Sequence, residues 1–315
     1  MEKRALGKSG LRIAPLMFGG NVLGWTADEA TSFRLLDRFV AAGLNAIDTA
    51  DTYSMWAAGN KGGESETVIG NWLKARGGRD KVVIATKVGW EQPKGGLARD
   101  RILAKAEASL RRLQTDYIDL YQSHIDDTVT PLEETLAAHQ RLIEQGKVRA
   151  IGCSNYTAPR LAETLRLSAD KGLPRYQSLQ PRYNLYQRAD FERELGPLAL
   201  KEGIGVITFP SLAGGFLTGK YRSEADFAKS PRGAGAKAML NARGTRILAA
   251  LDEVAARTKS TPAGVALAWL MARPGVTAPI ASATTLEQLE ELIAATRLTL
   301  DAEAMKLLDG ASAGG

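Results

Sequence analysis

The stretch Asp116–Tyr156, "DYIDLYQSHIDDTVTPLEETLAAHQRLIEQGKVRAIGCSNY", carries one full cycle of a pattern that recurs along the chain. Apolar residues crowd Tyr117–Ser123 and again Val148–Ser154, each run short enough for a buried strand. Between them Pro131–Gln145 is amphipathic. It follows a Thr130-Pro131 start and precedes Gly146, where a left-handed helix cap falls. Both apolar runs lead straight into polar residues, "HIDD" after the first and "NY" after the second.

The same alternation extends in both directions. Further strands are expected at Pro15–Gly19, Ala46–Asp48, Val82–Lys87, Ser178–Pro181, Gly205–Phe209 and Thr277–Ile280. Helices are expected at Asp28–Ala42, Glu64–Arg76, Asp100–Leu113, Ala158–Lys171, Ala189–Lys201, Pro262–Ala272 and Leu286–Thr296, with Gly43 and Gly203 as further caps and Thr261 before Pro262 as a further start. Eight strand–helix units in alternation predict a (β/α)8 barrel in one domain spanning 1–315. A doubly wound sheet shares the alternation, but no G-x-G-x-x-G follows the first strand. Arg4–Ile13, with "GKSG" inside it, reads as a hairpin that caps the barrel floor. Arg243–Lys259 and Asp301–Leu308 read as helices outside the eightfold count. Residues 218–241, polar and basic, form a loop too long to be a mere connection.

Composition narrows the function. The chain has 315 residues, 44% of them hydrophobic, and a net charge of +6. No apolar run is long enough to cross a membrane, and the first residues, "MEKRALGKSG", lack an apolar signal, so a cytoplasmic protein is expected. Lys and Arg are interspersed with Asp and Glu, which argues against nucleic-acid or membrane partners. The lone Cys153 lies in an apolar strand pattern and is expected to be buried and inert. With only two histidines, a His-rich metal centre is excluded, and no metal site is expected.

In such a barrel the site forms at the C-terminal ends of the strands. Reading those ends yields Asp48, Lys87 and His124, with Tyr53 in the loop after the second strand. A lysine kept cationic by Asp48 lowers the pKa of a neighbouring phenol, so Tyr53 can exchange a proton with a carbonyl oxygen or an alcohol. His124 can hydrogen-bond that oxygen. Protonating oxygen while carbon is attacked suits hydride transfer, which needs a borrowed cofactor. Trp25, Trp56 and Trp90 follow the first three strands and are candidates for the walls of a substrate pocket.

"NAIDTADTY", "IATKV", "YQSHIDD", "AIGCSNY" and "IASATTLEQLEE" together resemble the aldo-keto reductase superfamily, in order and over nearly the whole chain. The branch that includes potassium-channel β subunits is nearer than the aldose reductase branch, as "QPRYN" (Gln180–Asn184) suggests. The resemblance implies an NADPH-dependent reductase of small carbonyl compounds whose catalytic tetrad is Asp48, Tyr53, Lys87 and His124. It also implies a nicotinamide grip by Ser154, Asn155 and Gln180, with Phe209 stacked on the ring. Gly20, Asn21 and Asp48 would lie near the nicotinamide ribose. The pyrophosphate would fall to the backbone of Ser211, Leu212 and Gly214 and to Lys220, with residues 218–241 covering the cofactor. At the adenine end stand Ser282, Thr284, Gln288 and Glu291, without the lysine or arginine many relatives carry there. Arg232 of the long loop is the expected partner for the 2′-phosphate, and NADH use stays open.

Other readings compete. A potassium-channel-like barrel would bind NADP(H) as a sensing module. An aldolase would use Lys87 as a Schiff-base amine, against which Asp48 argues. "GGFLTGKY" (Gly214–Tyr221) approaches the phosphate-loop pattern but ends in tyrosine where a hydroxyl for Mg²⁺ is required. His139, on an amphipathic helix, reads as structural. A monomer is expected because no long apolar surface helix stands out.

Overall fold

The computed structural model describes residues 2–91 and 94–314. A two-stranded antiparallel hairpin, β1 (Arg4–Ala5) and β2 (Arg12–Ile13), opens the chain. Eight parallel strands then close into a barrel: β3 (Met17–Gly19), β4 (Ala46–Asp48), β5 (Val83–Val88), β6 (Ile118–Ser123), β7 (Val148–Ser154), β8 (Ser178–Gln180), β9 (Gly205–Thr208) and β10 (Val276–Ala281). They pair in chain order, and β10 returns to β3.

The barrel's lower lumen is filled by Met17, Ala46, Val83, Ala85, Leu120, Ala150, Ile207 and Ala278, which come from seven of the eight strands. Leu6, Leu11 and Ile13 of the hairpin join this cluster from below. The floor is thus sealed with apolar side chains.

Helices surround the barrel: α1 (Glu29–Ala41), α2 (Glu64–Arg76), α3 (Arg99–Leu113), α4 (Leu132–Glu144), α5 (Ala158–Lys171) and α6 (Gly196–Glu202). They continue with α7 (Gly233–Ala236), α8 (Ala242–Thr258), α9 (Pro262–Met271), α10 (Leu286–Ala295) and α11 (Ala302–Ser312). α7, α8 and α11 lie outside the repeat. Gly43, Gly146 and Gly203 adopt the left-handed conformation that ends a helix. Thr261 accepts from the Gly264 N–H, as its place before Pro262 implies.

Two local expectations need correction. Thr130 does not cap α4: its hydroxyl donates to Asp127 Oδ2 at 2.7 Å, since that carboxylate already gathers the Gly95, Leu97, Val129 and Thr130 amides. The expected helix Ala189–Lys201 enters through a π-helical turn at Phe191–Leu195 before α6 begins. The long loop carries local structure of its own. It folds into 3₁₀ turns at Glu224–Lys229 and Lys237–Met239 on either side of α7.

Candidate active site

Three of the four expected catalytic residues, Asp48, Tyr53 and Lys87, meet within hydrogen-bond distance. Lys87, fully buried, directs its Nζ to Asp48 Oδ2 (2.6 Å), to the Thr49 carbonyl (2.8 Å) and to the Tyr53 hydroxyl (2.9 Å). An ammonium has three hydrogens, and all are spent. Tyr53 donates to Asp48 Oδ2 at 3.2 Å, and Gln180 Nε2 donates to Asp48 Oδ1 at 2.9 Å. Asp48 therefore accepts from three side chains brought in by β5, β8 and its own following loop. An amine so engaged beside a carboxylate is not the free nucleophile a Schiff base requires.

The electrostatics depart from the sequence reading in one respect. Burial pushes the Tyr53 phenol well above its usual pKa, and the Asp48 carboxylate adds to the shift. The expected acidification by Lys87 is outweighed by burial first, and then by the Asp48 carboxylate, which holds the ammonium and also lies beside the phenol. Tyr53 is thus held protonated. Burial also lowers the Lys87 pKa, opposed chiefly by Asp48. His124, mostly buried, is pushed well below its usual range by burial and then by Lys87, so its imidazole is neutral. Its Nδ1 has no partner among the described residues, and its ring centroid lies 6.0 Å from that of Tyr53.

A cavity of about 560 Å³ opens above these residues, with Asp48, Tyr53 and Gln180 in its wall. Phe209, Ser211, Leu212, Gly214 and Lys220 line one flank, Asn21 the side after β3, and Ser282, Thr284, Gln288 and Glu291 the far end. Gly214 and Gly215 both take positive φ, turning their backbone around the cavity in a way side chains disfavour. Ser282 donates to Asn21 Oδ1 at 2.7 Å, and Thr284 donates to Gln288 Oε1 through both its amide and its hydroxyl.

Three expected contacts sit one layer back. Ser154 donates to the Gln180 carbonyl, and Asn155 Nδ2 to the His124 carbonyl and Ser154 Oγ. These bonds lash the ends of β6, β7 and β8 together beneath the cavity. Gly20 is buried, and its carbonyl accepts from Ser65. Residues not picked out from sequence also line the cavity, among them Thr26, Thr218, Lys229 and Ser230. For Thr218, Lys229 and Ser230 the polar, basic character of 218–241 was the only signal; Thr26 had none.

The tryptophans cluster around Tyr53 and His124. Trp25 lies in the cavity wall, edge-on to Trp56 at 5.6 Å, and Trp56 lies 6.0 Å from Tyr53. Trp90 sits 5.0 Å from the His124 ring. Trp56 and Trp90 are about half exposed, so they rim the opening rather than fill the cavity. Arg232 reaches over Trp25 at 5.3 Å, with a buried Nη2 that has no partner among the described residues.

An orphaned guanidinium donor, an aromatic wall and a left-handed glycine turn in one cavity suit a ligand with an anionic linker and flat rings. The chain matches the Aldo/keto reductase family over residues 15–313. It belongs to that family.

This aldo/keto reductase is accordingly an oxidoreductase of small carbonyl compounds that draws on a nicotinamide cofactor. It is 36% identical to the "uncharacterized oxidoreductase YrpG" of Bacillus subtilis (strain 168), covering 98% of this chain and 95% of that protein. It is 33% identical to a "probable voltage-gated potassium channel subunit beta" of Arabidopsis thaliana, covering 92% and 90%. It is also 31% identical to a norsolorinic acid reductase of Aspergillus flavus, covering 96% and 79%. Among the described residues no helix is long and apolar enough to cross a membrane, and no cluster of His, Cys, Asp and Glu is arranged to hold a metal ion. Cys153 is buried, and burial pushes its thiol well above its usual pKa.

Proposed function

We propose that this reductase converts an aldehyde or ketone to the alcohol with NADPH, using Tyr53 as the proton donor. The observation that carries the reading is the Lys87 ammonium clamped between Asp48 and the Tyr53 hydroxyl at 2.6 and 2.9 Å. A phenol held protonated at neutral pH is in the state that reduction needs. The adjacent ammonium stabilises the phenolate left after the proton departs. His124, neutral and beside Tyr53, orients the carbonyl oxygen toward the hydroxyl. Phe209, Gln180 and the backbone from Ser211 to Gly214 would hold the cofactor, with Lys220 at its phosphates and Arg232 at the 2′-phosphate. When bound, the cofactor supplies the hydride.

The three indoles around Tyr53 and His124 favour aromatic or otherwise bulky carbonyl substrates. A relative that acts on norsolorinic acid is consistent with that preference. The test is NADPH oxidation followed by absorbance with aromatic aldehydes, quinones and keto-sugars. Tyr53→Phe is expected to lower kcat by about 10²-fold or more, the usual worth of a positioned acid, with NADPH affinity nearly unchanged. Full activity in that variant removes Tyr53 from the role. Tight NADPH binding without turnover on any of these compounds points instead to a sensing barrel.

A further inference from the structure

Two residues before Tyr53 lies a buried acid that the reaction as described does not use. Asp51 is 4% exposed, and its Oδ1 has no hydrogen-bond partner among the described residues. Its amide bonds the Lys87 carbonyl at 3.3 Å, so it sits directly behind the strand position that carries the ammonium. The groups facing it come from every neighbouring element. α2 supplies Glu66, whose carboxylate is held by Thr86 of β5 (2.5 Å) and Arg112 of α3 (2.6 Å). α3 supplies Lys105, 3.6 Å from Asp51 Oδ2 and shared with Glu91 at 2.6 Å. β6 supplies the Tyr121 hydroxyl, buried and likewise without a partner among the described residues.

We infer that Asp51 is a positioning residue for the proton-donating couple, its carboxylate setting the pH at which Tyr53 and Lys87 give up their proton. The inference rests on the proposed roles of those two residues. Asp51 and Glu66 both help keep Lys87 cationic against the pull of burial, after the larger effect of Asp48. Asp51 is itself poised, since burial and then Glu66 push its carboxyl up to about 7. Above that pH it is an anion behind Lys87. Removing a negative charge makes every neighbouring group deprotonate at lower pH, for the phenol and the ammonium alike.

The test is the pH profile of kcat/KM for reduction of 4-nitrobenzaldehyde by NADPH. Asp51→Asn is expected to move the alkaline limb to lower pH by about half a unit or more, and Asp51→Glu to restore it. Lys105→Met removes the cation facing Asp51 and is expected to move the limb upward. Lys105 is partly exposed, so that variant carries the test even if Asp51→Asn does not fold. Unmoved limbs in both variants, with activity lowered equally at every pH, leave Asp51 a purely structural part and overturn the inference. An inactive Tyr53→Phe alongside unmoved limbs defeats only the role of Asp51. An active Tyr53→Phe defeats the reading beneath it.

Discussion

Arg232 shows what a single side chain gains from its surroundings. Burial disfavours its charged form, one of its nitrogens is without a partner, and its guanidinium lies over the Trp25 ring. An unpaired buried donor is a cost that an anionic ligand removes. Arg232→Ala is therefore expected to weaken NADPH binding about tenfold or more, by the worth of a charge-assisted hydrogen bond. NADH should lose less if the 2′-phosphate is the partner. Fluorescence titration with the two cofactors measures both losses, and equal losses assign Arg232 to a phosphate that the two share. At this scale the strand-end residues Asp48, Lys87 and His124 were legible because each follows an apolar run. Asp51 was not: in "DTADTY" it reads as one more turn residue, and Glu66 and Lys105 reach it from different helices.

The elements owe their positions to close contacts that substitution can probe. Gly70 lies in the middle of α2, where a Cβ would fall well inside contact distance of the Arg112 carbonyl oxygen at the end of α3. A backbone atom cannot move aside as a side-chain tip can. Gly70→Ala should thus lose about 1–3 kcal/mol to overpacking, offset in part by the roughly 1 kcal/mol that alanine gains in a helix. Urea unfolding is expected to show a lower midpoint, and a raised one would mean that the helices separate freely. The same contact holds Glu66 against Arg112, so α2–α3 packing and the charge cluster behind Lys87 depend on one another. The strand–helix order and the hairpin were readable from periodicity. The π-helical turn before α6 and the compact folding of 218–241 were not, since both depend on packing rather than local pattern.

Across the whole molecule, buried histidines and a buried carboxyl pull stability in opposite directions with pH. His139, enclosed among Tyr121, Ser123 and Tyr176, is held by burial at a pKa of about 4 against 6.5 unfolded. The unfolded chain binds that proton first, so stability is full above 6.5 and falls as pH drops toward 4. Asp51 does the reverse: its folded pKa of about 7 exceeds the ordinary 3.8, so its contribution is full below 3.8 and is lost as pH rises through 7. The His139 effect amounts to about 3 kcal/mol and the Asp51 effect to about 4 kcal/mol, and over pH 4–7 they oppose one another, with His124 acting in the same sense as His139. His139→Gln is expected to remove one of the two histidine slopes that oppose Asp51, making the variant gain stability relative to the parent as pH falls from 7 to 4 in urea titrations. An unchanged difference between the two proteins across that range would refute the assignment. By itself the sequence determined the order of elements, the closure of eight strands, and which residues stand at their upper ends, because side-chain alternation and helical spacing are local properties. Only the tertiary structure decided the protonation states of Tyr53, His124 and Asp51. Those depend on burial and on ångström distances between residues far apart in the chain, as when Gln180 and Lys87 converge on Asp48.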